Sequence, residues 1–275
     1  MSGLSLCWRR MGEAKQTEIH PTAVIDPAAA IGEGVEIGPY CVIYAGVEIG
    51  DGCWLQNHVT IDGPTKIGTD NRFYAYGSIG QRTQDLKYSG EPTHLEIGDG
   101  NCFREFVTVN RGTEPGSYTR IGNGGNFLAY SHIAHDCIVG DGVIFSNNGT
   151  LAGHIEMGDH AILGGLTAVH QFCRVGRHAI TGGCSKIVQD VPPFMIADGN
   201  AAQVRGINAV GLGRHGFAEE SIRALKEAYK VIYRRKLNVA DAVAQLKESH
   251  PAEGGDPLVR ELIDFIESSE RGIIR

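Results

Sequence analysis

A chain of 275 residues with 42% hydrophobic and 21% charged residues has the balance of a globular protein able to bury a sizeable core. Its 32 acidic against 25 basic residues give a formal charge of −7, which argues against nucleic acid or an anionic membrane as the main partner, and no apolar run reaches the ~20 residues of a spanning helix, so no stable membrane insertion is expected. The 7 cysteines contain no Cys-x-x-Cys pair and read as reduced thiols of a cytoplasmic protein, while 38 glycines with only 10 prolines and no Gly-X-Y period point to a backbone that turns often rather than to collagen.

Residues 1–16 read as an irregular leader; Arg9-Arg10 is followed by no apolar segment, so no export signal is expected. From Ile19 to Ile187 every sixth residue is large and apolar, apart from Asp85, Glu91, Pro115 and Thr181. Neither a helical nor a simple strand period predicts this. Glycine often follows the apolar residue, as in Ile31-Gly32, Ile49-Gly50 and Val139-Gly140, where a corner with unusual backbone angles is expected. Each hexad therefore reads as a short strand plus a corner, with its aliphatic side chain in a shared core. A repeat of this kind implies a solenoid, expected over 17–191. The pattern lapses at 81–96 (QRTQDLKYSGEPTHLE) and 110–120 (NRGTEPGSYTR), both polar and rich in turn formers, which predicts two loops extruded from the solenoid. Residues 192–275 read as a small α-helical domain, with helices over 218–235, around Val239–Leu246, and after the Asp256-Pro257 cap.

The hexad resembles that of the hexapeptide-repeat transferases. The resemblance implies a mostly β fold, a left-handed parallel β-helix of three hexads per 18-residue coil, against the usual right-handed crossover. On that spacing His135 shares a column with Gly153, His154 falls one residue past it, and His170 lies one coil beyond Ala152. The three histidines thus fall near one edge of successive coils ~4.8 Å apart. His132 lies three residues upstream of His135, and none of the four occupies an inward position, so they are expected to face outward. An imidazole followed directly by Asp136 suits general-base chemistry. Zinc bound across a subunit boundary is the weaker alternative, because the helical tail and two loops do not suit the hexapeptide carbonic anhydrases, and no metal is assigned. His160 and His178 are also 18 apart, in a different column, with no acid or nucleophile nearby; they are expected to be structural or incidental. Cys137 and Cys173, two coils apart, are expected to be small interior or corner residues.

Longer strings narrow the resemblance. QDLKYSGEPT (84–93), HIAHDC (132–137), NNGTLAGH (147–154), TAVHQF (167–172) and GGCSKIVQDVPPF (182–194) are similar to the UDP-N-acetylglucosamine O-acyltransferases, and the similarity runs from about residue 17 to the closing RGIIR. This implies transfer of a 3-hydroxyacyl chain from acyl carrier protein to the sugar 3-hydroxyl of UDP-N-acetylglucosamine, the first step of lipid A synthesis in Gram-negative bacteria. It also implies a homotrimer with active sites between subunits, and no cofactor beyond the phosphopantetheine of the carrier. By the same resemblance His135 is the base, Asp136 its partner, and the Gly153 N–H the oxyanion donor. His132, His154, His170 and Gln171 position substrate, Asp85 and Lys87 contact the sugar and nucleotide phosphates, and Arg214 reaches the nucleotide or the carrier. Val210 and His215 depart from the pattern, which has an acid and a second base there. Gly183 is expected to set acyl-chain length, the Gly182-Gly183 pair leaving unfilled volume along a groove. Arg174, Arg177, Lys186, Arg205, Arg214, Arg234 and Arg235 are candidate contacts for the acidic carrier. The alternative is a related hexapeptide-repeat N-acyltransferase acting on a UDP-amino sugar; the QDLKY loop and helical tail favour the O-acyltransferase.

Overall fold

The computed structural model describes residues 16–275, so the expected leader lies outside the described residues except for Gln16. The step-of-six residues build the solenoid. Consecutive short strands go to three different parallel sheets in turn, so each strand pairs with the third one along. The registers Ile19↔Ile37, Ile25↔Ile43 and Ile31↔Ile49 give coils of 18 residues, and the fold is a left-handed parallel β-helix. Inside it Phe73, Phe103 and Phe127 stack nearly parallel with centroids 4.7–5.0 Å apart, and Phe145 meets Phe127 edge-on. Ile19, in the first described coil, is 48% exposed. Thr181 is buried where an aliphatic residue was expected; its hydroxyl accepts a 2.9 Å hydrogen bond from the Gly164 N–H, which satisfies it.

Glycine follows the aliphatic residue for a reason other than backbone angle. Gly50 and Gly140 have ordinary φ, but a Cβ on Gly140 would sit 2.3 Å from the Asp159 carboxylate and one on Gly50 2.6 Å from the Gly68 carbonyl oxygen. Close approach of successive coils excludes a side chain there. The left-handed corner lies further along the hexad, and non-glycine residues occupy many of these corners, including Asp136, His154 and Phe172 at φ 58°, 60° and 63°.

Both loops are shorter than the sequence suggested. The strands His94–Ile97 and Tyr118–Ile121 pair over four residues and bury Leu95 and Thr119, leaving 82–93 and 111–117 extruded. Ile67 pairs with Ile97, 30 residues on, and Ile97 with Ile121, 24 residues on, instead of 18. The insertions therefore add two hexads and one hexad of length, which is why the step of six survives them in phase.

The sheet continues past residue 191. Met195–Gly199 pairs in parallel with Ile180–Thr181 and turns back antiparallel into Ala202–Ile207, so helices begin only at α1 (Ala209–Arg214). That helix escapes a sequence reading because two of its six residues are glycine; the Asn208 side chain caps it by accepting from the Gly211 N–H. The helices α2 (Glu219–Arg234), α3 (Val239–Ser249) and α4 (Pro257–Glu267) fall where expected, the last capped by Asp256. Arg177 pairs with Glu261 of α4, while Arg174 donates to the Ser268 carbonyl and lies over Phe265. These two arginines hold the helices to the solenoid and are not free for a partner. Among the described residues no helix is long and apolar enough to cross a membrane.

Candidate active site

The second loop starts on a buried arginine. The Arg111 guanidinium donates to the carbonyls of Gly63 (2.6 Å) and Gly80 (2.7 Å) and to Asp62 (3.1 Å), pinning the chain to the coil beneath. Thr113 is thereby placed to donate its backbone N–H to Asp136 Oδ2 at 3.0 Å, and the Asp136 N–H in turn donates to Thr119 Oγ1 at 2.8 Å. Asp136 Oδ2 is 2.8 Å from His135 Nδ1. Burial pushes the Asp136 carboxyl up, but the hydrogen bond from His135 and the charge of the neighbouring imidazoles more than offset this and hold it below the usual carboxylate range. An ionised Asp136 keeps the proton on Nδ1, so Nε2 is the basic nitrogen of His135.

That nitrogen faces the first loop. Asp85 Oδ2 lies 4.0 Å from His135 Nε2. The Asp85 N–H donates to Thr83 Oγ1, which also pairs with the Thr113 hydroxyl at 2.8 Å, so the two loops are tied together above the histidine. His135 points away from the aliphatic core, as expected, but it does not stand open to solvent: the loops leave it 9% exposed. Gly153 lies against its ring, and a Cβ there would be 2.4–2.5 Å from Cε1 and Nε2. Only glycine lets the imidazole occupy this position. The Gly153 N–H makes no hydrogen bond among the described residues.

His154 meets His135 edge-on at 5.1 Å, places Nε2 3.8 Å from Asp136, and stacks on Phe172 at 4.6 Å. The ring column thus continues through Phe172, not through His170 as the residue count suggested. His170 is exposed, with Nδ1 3.1 Å from the Gln171 carbonyl, and Gln171 is exposed beside it. His132 Nδ1 pairs with Thr108 Oγ1 at 2.7 Å; burial, helped by His135, lowers its pKa. The Lys87 N–H donates to Asp85 Oδ1 while its side chain stays exposed, and Arg214 is exposed at the end of α1. Of the paired glycines only Gly183 leaves room: a Cβ there would meet just the Gly165 carbonyl oxygen at 3.4 Å, whereas one on Gly182 would lie 2.0 Å from the Asp198 carboxylate.

Sequence reasoning missed Gly112, Thr113, Thr119 and Phe172. A Cβ on Gly112 would come 2.2 Å from Ser117 Oγ and 2.8 Å from Asp136 Oδ1, so this glycine is fixed by both. Phe172 was within reach of the 18-residue count from His154. Gly112 and Thr113 of the second loop, and Thr119 in the strand after it, carry no signal without the fold.

Among the described residues the site joins an imidazole to a carboxylate, and its nearest thiol is not placed to act as a nucleophile. Cys137 is buried, donates to the Ala152 carbonyl, and has its thiol pushed up to about 12 by burial. Ligating atoms of His135, Asp136 and His154 lie within 4.8 Å of one another, but Asp136 is already engaged by His135 and Thr113. His160 and His178 do stack, at 4.9 Å, yet not as an incidental surface pair: His178 is 3% exposed, and His215 packs on both rings. Burial, then His215, His160 and Arg177, push the His178 pKa down to about 4.

Residues 190–274 match the family model for UDP N-acetylglucosamine O-acyltransferase, domain 2, and residues 16–50 match the bacterial transferase hexapeptide. An acyl-[acyl-carrier-protein]–UDP-N-acetylglucosamine O-acyltransferase of Herminiimonas arsenicoxydans is 49% identical over 94% of this chain and 99% of its own length. One from Halorhodospira halophila is 50% identical over 94% of this chain and 100% of its own. The crystal structure of a UDP-N-acetylglucosamine acyltransferase from Bacteroides fragilis superposes with a TM-score of 0.90 at 41% identity, covering 94% of this chain and 100% of that one. These relatives carry the name of the O-acyltransferase, which sets aside the N-acyltransferase alternative as the family. The solenoid, the helical domain and near-complete likeness at about half identity lead to one assignment: this chain belongs to the acyl-[acyl-carrier-protein]–UDP-N-acetylglucosamine O-acyltransferase family.

Proposed function

We propose that the chain transfers a 3-hydroxyacyl group from acyl carrier protein to the 3-hydroxyl of UDP-N-acetylglucosamine, with His135 as general base. The observation that carries this reading is the 2.8 Å pair of His135 Nδ1 with Asp136, which leaves Nε2 basic beneath the two loops. His135 Nε2 takes the hydroxyl proton as the sugar oxygen attacks the thioester carbonyl. The Gly153 N–H stabilises the tetrahedral oxyanion. Collapse breaks the C–S bond, and the imidazolium returns its proton to the departing phosphopantetheine thiol. Asp85, 4.0 Å across from Nε2, holds the sugar; Lys87 beside it meets nucleotide phosphate. His132 and His154 fix the base and acceptor.

His170, Gln171 and Arg214 do not join this cluster within one chain, which fits sites completed by a second subunit in a homotrimer. Self-association is further supported by an exposed ring stack along one edge, Tyr40, His58, Tyr76, Phe106 and Tyr130. With Arg174 and Arg177 engaged internally, Lys186, Arg205, Arg214, Arg234 and Arg235 remain as contacts for the acidic carrier. Arg234 lines an open groove of about 860 Å³ with Arg223, Lys226 and Lys230.

Gly183 is the chain-length ruler of this reading. A Cβ is tolerated at Gly183, and Gly183→Met should shift preference toward shorter donors, each excluded methylene forfeiting ~0.8 kcal/mol; an unchanged donor profile places the ruler elsewhere.

The direct experiment is incubation of the protein with UDP-N-acetylglucosamine and 3-hydroxyacyl carrier protein, with mass spectrometry of the product. An acylated UDP-sugar that mild alkali deacylates is the expected ester. No acylated product, or an alkali-stable amide, overturns the reading.

A further inference from the structure

The cluster of His160, His178 and His215 takes no part in the proposed acyl transfer. His160 and His178 come from consecutive coils, and His215 from the residue that ends α1. Ring centroids are 4.9 Å apart for the first pair and 4.7 Å for each ring against His215, and one nitrogen of each lies within 4.8 Å of the others. His178 is almost fully buried, and one of its ring nitrogens lies within reach of those of His160 and His215. Its position is firm: the His178 carbonyl accepts from the Asn208 side chain at 2.9 Å, and the ring meets Phe217 edge-on at 5.0 Å.

Three converging imidazoles with no carboxylate among them are a donor set for zinc and its transition-metal neighbours, and a poor one for magnesium or calcium. A zinc–nitrogen bond is ~2.0–2.1 Å, so the donor atoms must close somewhat from their present separation. Rotation of His215, which is exposed, and of His160, which is half-buried, supplies that movement around a fixed His178.

We propose that His160, His178 and His215 bind one divalent transition-metal ion of the zinc class, with a fourth position left to water, and that the ion clamps α1 onto the solenoid. The bound ion adds a link between the coils and the helical domain, so it should stabilise the folded chain by mass action.

The test uses the full-length, untagged chain, freed of metal by chelator and dialysis, then titrated with Co²⁺ while visible d–d absorption is recorded. Wild type should take up one equivalent per chain with a tetrahedral spectrum that Zn²⁺ displaces, and added Zn²⁺ should raise its melting temperature. His215→Ala, made at an exposed position, should lose the spectrum and the thermal shift; His215→Gln serves if the alanine variant does not fold. His154→Ala, in the other cluster, should keep both. Absence of Co²⁺ uptake by wild type, uptake undiminished in the folded His215 variant, or uptake lost in His154→Ala each overturns the proposal.

Discussion

Asp136 lies one coil below His154, and His160 one coil below His178; the same 18-residue repeat stacks the two pairs along different edges. The first pair receives its chemistry from outside the solenoid: Asp136 is bound by the second loop and His135 is roofed by the first. The second pair is covered by α1, which adds a third imidazole instead of a charge partner. In one place an ionised carboxylate holds a histidine by its Nδ1 and leaves Nε2 free; in the other, burial and cationic neighbours hold His178 neutral. Coil stacking supplies proximity alone. The inserted segments decide what the rings do.

The largest effect that sharpens this contrast is expected from His135→Ala. Removing the base should lower turnover by ~10²–10⁴-fold while the melting temperature holds, because the ring fills no core position. A near-normal rate in the folded variant would remove His135 from the mechanism. Asp136→Asn should cost less, since the ring remains. An undiminished rate in folded Asp136→Asn would mean that the carboxylate does not support His135. Gly153→Ala comes next. Its methyl overlaps the ring and forces His135 aside, and a shift of about 1 Å costs up to ~10²-fold in rate. Full activity in Gly153→Ala would show that the ring has another place to go.

How much of this was legible depends on whether a residue's role is carried by its neighbours in sequence. The core was legible because Ile37, Leu55 or Phe127 reports burial once per hexad, and the two insertions preserve the phase. The pairing of His135 with Asp136 was legible because imidazole and carboxylate are adjacent in the chain. The glycines were visible, but not their cause: the sequence cannot separate Gly140, excluded from a side chain by the coil above, from a glycine chosen for positive φ. Thr113 and Gly112 reach Asp136 only because Arg111 folds the loop onto the coils. Nor does a six-residue helix with two glycines announce that it will bury His178 and bring His215 onto it.

The smallest effect concerns that second cluster in chelator-treated protein. His178 has a folded pKa of about 4 against an ordinary 6.5. Between those values the unfolded chain binds a proton that the folded one refuses, so stability must fall as pH drops from about 6.5 toward 4. His132 and His215 are lowered in the same direction and add to the decline. Asp136 also loses stability on acidification, but its carboxyl starts from 3.8 and is lowered further, so its loss falls at more acidic pH. Melting temperatures recorded from pH 7.5 to 4.5 should therefore decline in wild type and decline less in His178→Gln, each protein being compared with its own value at pH 7.5. That internal reference removes any packing loss caused by the substitution itself. Equal slopes would mean that His178 takes up its proton in the folded state as readily as in the unfolded one, and the second cluster would then differ from the first in its partners but not in its charge.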